Sequence, residues 1–314
     1  MLAPSSELNP TETSFAPFRL MTFVQCMRPK QFIKNFLIFT PAIFQRNAAH
    51  SLLNPHVFLT LLLTFAFFSA MVGCTYIIND YVDLERDRHN PSKRGRPMAA
   101  GRISPKLALR IALIAIPLLL VVQFLFFKWE VGAAFLLYLV TTLTYSFVLK
   151  NIVIIDIMTI AALFILRSYI GCLAIDVPLS LAFMSCIGSV ALFIATSKRH
   201  HEYKLTTSAV VGVENARLVI REYNNELLLM LLSVSAVGAL ITYTLFALNE
   251  APAGFGLSIP LVFYGLFRFL YLAVVRGVGG TPEITLIRDR PLIITVGLWL
   301  TLLLALYYRS GHSQ

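Results

Sequence analysis

The sequence predicts an all-α polytopic membrane protein with nine transmembrane helices and cytosolic cap loops. Of its 314 residues, 57% are hydrophobic and 13% are charged, and this charged share is about half that of an average soluble protein. The mean hydropathy is +0.75, and apolar stretches of membrane-spanning length recur along the chain. The low charged share and the apolar stretches exclude a soluble or secreted protein. The four cysteines lie in or beside apolar stretches without CxxC or metal-ligand spacing, which excludes a disulfide-rich protein.

The order of the predicted elements follows from the polar breaks between apolar stretches. Residues 1–18 are polar and lack the features of a signal peptide, so we expect a flexible cytosolic tail there and a single transmembrane domain over 19–314. Short connectors such as Lys150–Asn151 predict antiparallel neighbours, whereas the connectors 79–103 and 199–225 are long and polar. Spans of about 20 residues are predicted at 32–50, 55–78, 104–127, 131–149, 152–175, 179–198, 226–248, 256–276 and 290–308.

The net charge of +10 is explained mainly by membrane orientation. Nucleic-acid binders carry their basic residues on a solvated face, which most of this chain lacks, so no nucleic-acid partner is expected. With the N-terminus in the cytosol, the opposite side receives only Arg46, Lys128 and Arg309, while Arg167 and Arg268 lie inside spans. The remaining basic residues face the cytosol, as the positive-inside rule expects.

An acidic segment follows the second span. If the helix continues, Asp80, Asp83 and Asp87 lie at positions i, i+3 and i+7 and share one face. Carboxylates in one stripe repel one another, and partial burial without a cation raises that free-energy cost. Mg²⁺ prefers oxygen ligands and removes the repulsion, so we predict metal binding, either direct or through water. The alternative is a solvated, charged helix end.

Basic residues follow the acidic segment within a dozen positions. Lys93, Arg94, Arg96 and Arg102 lie in a stretch whose prolines and glycines break the helix. A metal that bridges phosphate oxygens, together with basic side chains that take the remaining charge, forms a diphosphate site. We therefore predict a diphosphate-binding loop that closes over a substrate. The alternative is an orientation determinant, which is the usual role of a basic cytosolic loop.

Residues 79–101, NDYVDLERDRHNPSKRGRPMAAG, resemble the first aspartate-rich motif of the UbiA-type intramembrane prenyltransferase superfamily, NDxxDxxxD followed by KxxRP. The resemblance extends from about residue 20 to the end of the chain. It implies a nine-helix UbiA-like bundle, a Mg²⁺-bound diphosphate near the cytosolic side and a lipid substrate that enters from the bilayer. Asp80, Asp83 and Asp87 are the implied metal ligands, with Mn²⁺ as an alternative metal.

The second half departs from the superfamily pattern, in which a second acidic pair helps to hold a second metal on an allylic prenyl diphosphate. The corresponding stretch here, residues 145–156, carries one acid, Asp156. Residues 28–35, the stretch that ends at Lys150, and Lys198–Arg199 resemble one branch, the decaprenyl-phosphate 5-phosphoribosyltransferases. That branch uses phosphoribosyl diphosphate as donor and a polyprenyl phosphate as acceptor, and the single acid fits such a change of donor.

In the implied reaction, diphosphate leaves C1 of ribose 5-phosphate, and the acceptor phosphate, already an anion, attacks that carbon. Charge on the leaving group supplies most of the acceleration. Asp83 and Asp156 are the predicted catalytic residues. Asp83 acts as a metal ligand, and Asp156, which lies inside a span at a free-energy cost, orients the ribose hydroxyls or stabilises the positive C1. The alternative for Asp156 is an ion pair that fixes helix packing.

The remaining candidates are polar side chains near the cytosolic ends of the spans. Packing is the alternative role for Arg167 and also for Arg268. His200 and His201 are expected to be a solvated pair in a loop rather than a metal site. The predicted contacts of the donor phosphates are Asn79, Lys93, Arg96, Tyr145, Lys150, Lys198 and Arg199, and those of the acceptor phosphate are Lys30, Lys34 and Arg167.

Three functions compete at this point. The first is phosphoribosyl transfer to polyprenyl (decaprenyl) phosphate for arabinan-type cell-envelope precursors. It predicts a location in the bacterial plasma (inner) membrane, with an active site that faces the cytosol. The expected partners are the two substrates and the bilayer, and a homo-oligomer is compatible with this function. The second moves an isoprenoid from its diphosphate to an aromatic or glycerol-phosphate acceptor. The third is a transporter or lipid-flipping protein, which is disfavoured because the sequence lacks inverted halves with paired broken helices.

Overall fold

Every regular element in the described part of the chain is a helix. The computed structural model describes residues 20–44, 50–89, 93–207, 218–251, 254–280, 285–286 and 288–311, with side chains described up to residue 306. The α-helices are α1 (Leu20–Cys26), α2 (Thr40–Ile43), α3 (Pro55–Val82), α4 (Leu84–His89), α5 (Pro105–Phe126), α6 (Trp129–Phe147), α7 (Ile155–Ala174), α8 (Leu181–Thr207), α9 (Asn225–Asn249), α10 (Ile259–Val274) and α11 (Arg290–Gly311). Short 3-10 helices cover Pro29–Phe39, Leu149–Asn151, Leu218–Glu222 and Phe255–Ser258.

Seven helices in the described ranges are long and apolar enough to cross a membrane. They are α3, α5, α6, α7, α8, α9 and the segment Phe255–Val274, and each corresponds to one span predicted from the sequence. The predicted last span corresponds to α11, which is apolar over Arg290–Leu306. The all-helical membrane architecture is therefore confirmed, whereas the count of nine spans stays a prediction.

The first predicted span, 32–50, does not begin as a long α-helix. Pro29–Phe39 forms a 3-10 helix that packs against α3 and α7, and the short α2 follows it. The Asn35 side chain is buried there, and its Nδ2 donates to Ser69 Oγ of α3 at 3.0 Å. Polar groups in an apolar bundle need such internal partners. Residues 45–49 lie outside the described part.

Apolar side chains face both the interior and the outer surface of the bundle. Between α3 and α6, the Phe68 ring meets Phe135 and Tyr138 edge to face, with ring centroids 5.2 Å and 4.7 Å apart. On α5, Ile114 and Leu125 are 70% and 73% exposed. An extensive exposed apolar surface is typical of membrane contact, so this outer face is suited to lipid.

Two helix boundaries differ from the predicted ones and determine the geometry of the site. Helix α3 ends at Val82 and α4 begins at Leu84, because Asp83 has φ −89° and ψ 8°, outside the α-helical region. Backbone hydrogen bonds from Asp83 N to the Asn79 carbonyl at 3.0 Å and from Asp87 N to the Asp83 carbonyl at 2.9 Å bridge this break, so the shared face of Asp80, Asp83 and Asp87 stays a prediction. Helix α8 continues to Thr207, so the polar connector predicted to begin at residue 199 starts as a helix.

Candidate active site

Two buried aspartates beside the α3–α4 break share one arginine. Arg96 Nη1 donates to Asp80 Oδ1 at 3.0 Å and also to Asp87 Oδ2. Arg28, which precedes the first 3-10 helix, donates to the same Asp80 oxygen. The Asp80 and Asp87 side chains are only 3% and 1% exposed, and a buried carboxylate needs a paired charge of this kind. We call the end of the bundle that carries these residues the acidic end.

One carboxylate oxygen at the acidic end has no hydrogen-bond donor. Asp87 Oδ1 is buried and lacks a hydrogen-bond partner, and Lys93 Nζ lies 3.9 Å from it. Across the ranges that the structure describes, no cluster of three His, Cys, Asp or Glu side chains is arranged to hold a metal ion. The predicted convergence of Asp80, Asp83 and Asp87 on one metal is therefore not seen.

The chemistry of these donors nevertheless fits a hard divalent cation. Mg²⁺ in proteins commonly takes one or two carboxylates and completes its shell with water and substrate phosphate oxygens. Asp87 offers an oxygen without a hydrogen-bond donor, and the Asp83 side chain is 20% exposed at the same end of the bundle. Asn79, half-buried, directly precedes Asp80 on α3. The ligand role of all three aspartates stays a prediction.

A second buried network centres on Asp156, in the first turn of α7. Arg199 of α8 donates through Nε to Asp156 Oδ2, and Tyr223 donates to Asp156 Oδ1 at 2.7 Å. The remaining nitrogens of Arg199 reach Glu202 Oε2 at 2.8 Å and the Tyr145 hydroxyl at 3.2 Å. Asp156 is fully buried, and both of its oxygens are engaged. The contact of Asp156 with a ribose stays a prediction, and its pairing with Arg199 corresponds to the alternative that the sequence left open.

The carboxyl end of α6 joins the two networks. Lys150, just after α6, places Nζ 3.6 Å from Asp83 Oδ1. Tyr145, in the last turn of α6, contacts Arg199. The acidic residues of the first half and the buried ion pair of the second half therefore lie around one helix end. Within this region, acids alternate with basic side chains, which is the arrangement that an anionic substrate with a metal requires.

Arg167 has a different environment. It is buried on α7, and it donates to Asn35 Oδ1 at 3.1 Å, to the Leu163 carbonyl at 2.9 Å and to the Tyr138 hydroxyl at 2.5 Å. Its guanidinium also lies 4.9 Å from the Phe164 ring centroid. These contacts join α6, α7 and the first 3-10 helix, and they favour the packing role that the sequence left open.

The other candidate lysines are not brought into either network by the contacts described. Lys30 is exposed, and Lys34 Nζ donates to Gln31 Oε1 at 2.5 Å on the same 3-10 helix. Lys198 lies on α8, one residue before Arg199. The acceptor role of Lys30 and Lys34 and the donor role of Lys198 stay predictions.

Arg268 lies in α10 and pairs with the residue just before α11. Its Nε and Nη2 donate to the Asp289 carboxylate at 3.2 Å and 2.8 Å. These hydrogen bonds lower the pKa of Asp289 below its ordinary value. The bidentate pair links the two helices, so the contacts favour packing for Arg268.

Two residues of these networks, Arg28 and Tyr223, were not predicted from the sequence, and the prediction for His200 was wrong. Arg28 lies in the segment that resembles the family branch, but its pairing with Asp80 spans 52 positions. Tyr223 meets Asp156 across 67 positions, so no local pattern connects them. His200 is buried on α8, with Nε2 3.2 Å from Asn225 Oδ1, because the helix continues. The prediction of a solvated histidine pair is therefore wrong for His200.

Comparison with known proteins identifies the family. The model of the UbiA prenyltransferase family matches residues 38–277. The chain belongs to the UbiA prenyltransferase family. This membership, together with the seven apolar helices, makes it a multi-pass integral membrane protein of a transferase family. The resemblance stated from residues 79–101 is confirmed.

Individual UbiA-family relatives and structures resemble most of the chain. The decaprenyl-phosphate phosphoribosyltransferase of Mycobacterium tuberculosis is 26% identical over 88% of this chain and 91% of the relative. That of Mycolicibacterium smegmatis is 27% identical over 97% of this chain and 98% of the relative. The structure of a UbiA homolog from Archaeoglobus fulgidus bound to DMAPP and Mg²⁺ has a TM-score of 0.65 at 18% identity, and covers 91% of this chain and 99% of that chain. This likeness shows that the fold is shared.

Proposed function

We propose that this UbiA-family protein transfers the 5-phosphoribosyl group of phosphoribosyl diphosphate to a polyprenyl phosphate, such as decaprenyl phosphate, and releases diphosphate. The observation that carries the proposal is the Asp156–Arg199 pair. A second metal site for an allylic diphosphate would need acids with open oxygens, whereas both oxygens of Asp156 are bonded. The names of the mycobacterial relatives support the same reaction, and we propose that its product serves arabinan-type cell-envelope synthesis.

The donor diphosphate is assigned to the acidic end. Lys93 and Arg96 now contact Asp87, and phosphate oxygens offer these two cations an equally charged partner. Asp80, Asp83 and Asp87 are the proposed ligands of Mg²⁺, with Mn²⁺ as an alternative. When bound, the metal would neutralise the negative charge of the leaving group. The metal-bearing A. fulgidus homolog supports this choice of cofactor.

The 5-phosphate of the donor needs a separate group of cations. Lys150 lies close after the end of α6, Arg199 contacts Tyr145 in the last turn of that helix, and Lys198 precedes Arg199. Arginine is suited to phosphate because its planar group donates several hydrogen bonds in a fixed geometry. Two sets of cations at one helix end would hold the donor at both of its phosphate groups and orient C1 between them.

The acceptor is proposed to approach along the first 3-10 helix, where Lys30 and Lys34 lie. Its phosphate is already anionic, so the attack on C1 needs no strong general base. The proposal places this chemistry on the cytosolic side of a bacterial inner membrane. It also retains nine spans, with residues 1–18 as a tail and 19–314 as the catalytic domain.

The proposed function is tested with the full-length chain in liposomes. Phosphoribosyl diphosphate with labelled ribose is supplied with decaprenyl phosphate and Mg²⁺, and the lipid product is identified by mass spectrometry. We expect a labelled decaprenyl phosphoribosyl phosphate. In parallel, geranylgeranyl diphosphate is supplied with an aromatic or a glycerol-phosphate acceptor. Turnover of the isoprenyl donor without any labelled phosphoribosyl lipid would contradict the proposal.

A further inference from the structure

A strained turn directly precedes Asp156. Ile154 has φ 68° and ψ −44°, a backbone conformation that β-branched residues rarely adopt. The amide of Ile155 donates to the Val153 carbonyl at 2.8 Å, which closes a three-residue γ-turn of the strained type around Ile154. Strain of this kind persists only where surrounding contacts hold it, and it is concentrated at functional sites.

Tyr223 holds both this turn and the carboxylate. Its hydroxyl accepts a hydrogen bond from the Ile154 amide at 2.8 Å and donates to Asp156 Oδ1 at 2.7 Å. The Tyr223 ring is anchored in an apolar cluster with Val219, Ile220 and Leu228. Burial, together with the hydrogen bond to Asp156, raises the pKa of Tyr223 above its ordinary value. The hydroxyl therefore stays protonated and remains a donor.

The direction of Arg199 depends on this arrangement. Nε of Arg199 is directed at Asp156, and the two other nitrogens then point to Glu202 and Tyr145. Because a guanidinium is planar, the bond from Nε to Asp156, together with the bonds to Glu202 and Tyr145, fixes the plane of the whole group. Tyr223 fixes the other oxygen of that same carboxylate. The hydroxyl of Tyr223 and the guanidinium of Arg199 are therefore coupled through Asp156.

We propose that Tyr223 is a positioning residue of the donor site, and that Asp156 orients Arg199 instead of touching the ribose. Tyr223 follows the 3-10 helix Leu218–Glu222. Through its hydrogen bond to Asp156 on α7, it sets the direction of the Arg199 guanidinium on α8. This inference rests on the proposed function only for the assignment of Arg199 to the donor's 5-phosphate. The inference also gives the strained turn a function, since the turn directs the Ile154 amide to the Tyr223 hydroxyl.

The test compares two tyrosines that each lose one buried hydroxyl. Tyr223→Phe removes the bonds to Ile154 and Asp156, while Tyr243→Phe removes a hydroxyl that bonds Ser258 at 2.5 Å and Trp299 at 2.9 Å in a different cluster. We expect Tyr223→Phe to raise the donor KM about tenfold, which corresponds to about 1.4 kcal/mol, without changing the acceptor KM. Tyr243→Phe should leave both values unchanged. If Tyr223→Phe only destabilised the fold, it would lower the active fraction of the protein, and hence the apparent kcat, without raising the donor KM.

A second variant keeps the test decisive where Tyr223→Phe folds poorly. Ile154→Gly removes the strain, because glycine adopts positive φ readily, so Ile154→Gly/Tyr223→Phe is expected to fold while its donor KM stays raised. A wild-type donor KM in either Tyr223 variant, or an equal rise in Tyr243→Phe, would overturn the inference. If the wild type uses only an isoprenyl diphosphate, the proposed function fails. Because that donor has no 5-phosphate, the assignment of Arg199 then fails as well, whereas a wild type that uses phosphoribosyl diphosphate, with an unchanged donor KM in Tyr223→Phe, overturns only the inference about Tyr223.

Discussion

Lys150 Nζ lies 3.6 Å from Asp83 Oδ1, so the 3-10 helix Leu149–Asn151 contacts the residue that follows α3. Asp83 occupies the helix break, and its side chain is 20% exposed, whereas Asp80 and Asp87 are buried against arginine. Asp83 is thus the most accessible of the three aspartates. A substrate that carries both a diphosphate and a second phosphate would meet Asp83 and Lys150 together.

Replacement of Lys150 by methionine tests its contact with the donor. The change keeps most of the side-chain volume but removes the charge, so we expect the donor KM to rise about tenfold, as the loss of one hydrogen bond to a charged group implies. Lys106→Met is the matched control, because Lys106 is an exposed lysine at the start of α5. Steady-state kinetics with varied donor distinguish the two variants. Equal donor KM values would argue against the assignment of Lys150.

Asp83→Asn tests the metal role of the acidic segment. The amide keeps the shape but loses the charge that a hard cation needs, so Mg²⁺-dependent turnover should fall by about 100-fold or more, with the protein still folded and inserted. Glu85→Gln is the control, since Glu85 is 74% exposed and pairs with Arg88. Turnover is measured against Mg²⁺ concentration. Retained activity in Asp83→Asn would mean that the acidic segment does not bind the metal.

Arg96→Ala tests whether an arginine and a metal neutralise the same carboxylates. Without Arg96, Asp80 and Asp87 each lose a partner in the buried pairs described above. The free energy of unfolding should therefore fall by about 3 kcal/mol. This value is at the low end for breaking a buried ion pair, because Arg96 is 24% exposed. Mg²⁺ should then raise the Tm of the variant more than that of the wild type. Thermal unfolding in detergent, with Mg²⁺ and with EDTA, measures both effects. An identical Mg²⁺ response in the two proteins would exclude a shared site.

Arg167→Met separates packing from acceptor binding. The variant removes the buried donor of Asn35 Oδ1 and of the Tyr138 hydroxyl, so stability should fall by about 1–3 kcal/mol. Because Arg167 contacts α6, α7 and the first 3-10 helix, we expect the acceptor KM of the folded fraction to stay at its wild-type value. A raised acceptor KM at unchanged stability would instead support the phosphate contact predicted from the sequence.

The spans could be predicted because membrane insertion depends on local hydropathy. The segment at 29–43 is different, since Lys34 and Asn35 interrupt the apolar pattern and the 3-10 geometry depends on packing against α3 and α7. The end of α8 was also missed. Polar residues there indicated a loop, but the burial of Arg199 and His200 against other elements extends the helix.

The candidate site was predictable only where its residues are close in sequence. The acids and cations of residues 79–101 form a motif, so Asp80, Asp87 and Arg96 were found together, and they contact one another. Arg199, the partner of Asp156 on α8, was predicted as a phosphate contact, but its pairing with Asp156 was not predicted. Tyr223 and the positive φ of Ile154 depend on tertiary contacts between distant segments, which hydrophobic periodicity does not reveal.

The most direct test of the account is a cryo-electron microscopy map of the protein in lipid with Mg²⁺, phosphoribosyl diphosphate and no acceptor. The central claim is that the acidic end binds the donor diphosphate through metal and basic side chains. We predict density for a metal and a diphosphate against Asp83, Asp87, Lys93 and Arg96, with the 5-phosphate toward Lys150. Donor density elsewhere in the protein, with the Arg96–Asp87 pair intact, would contradict the claim.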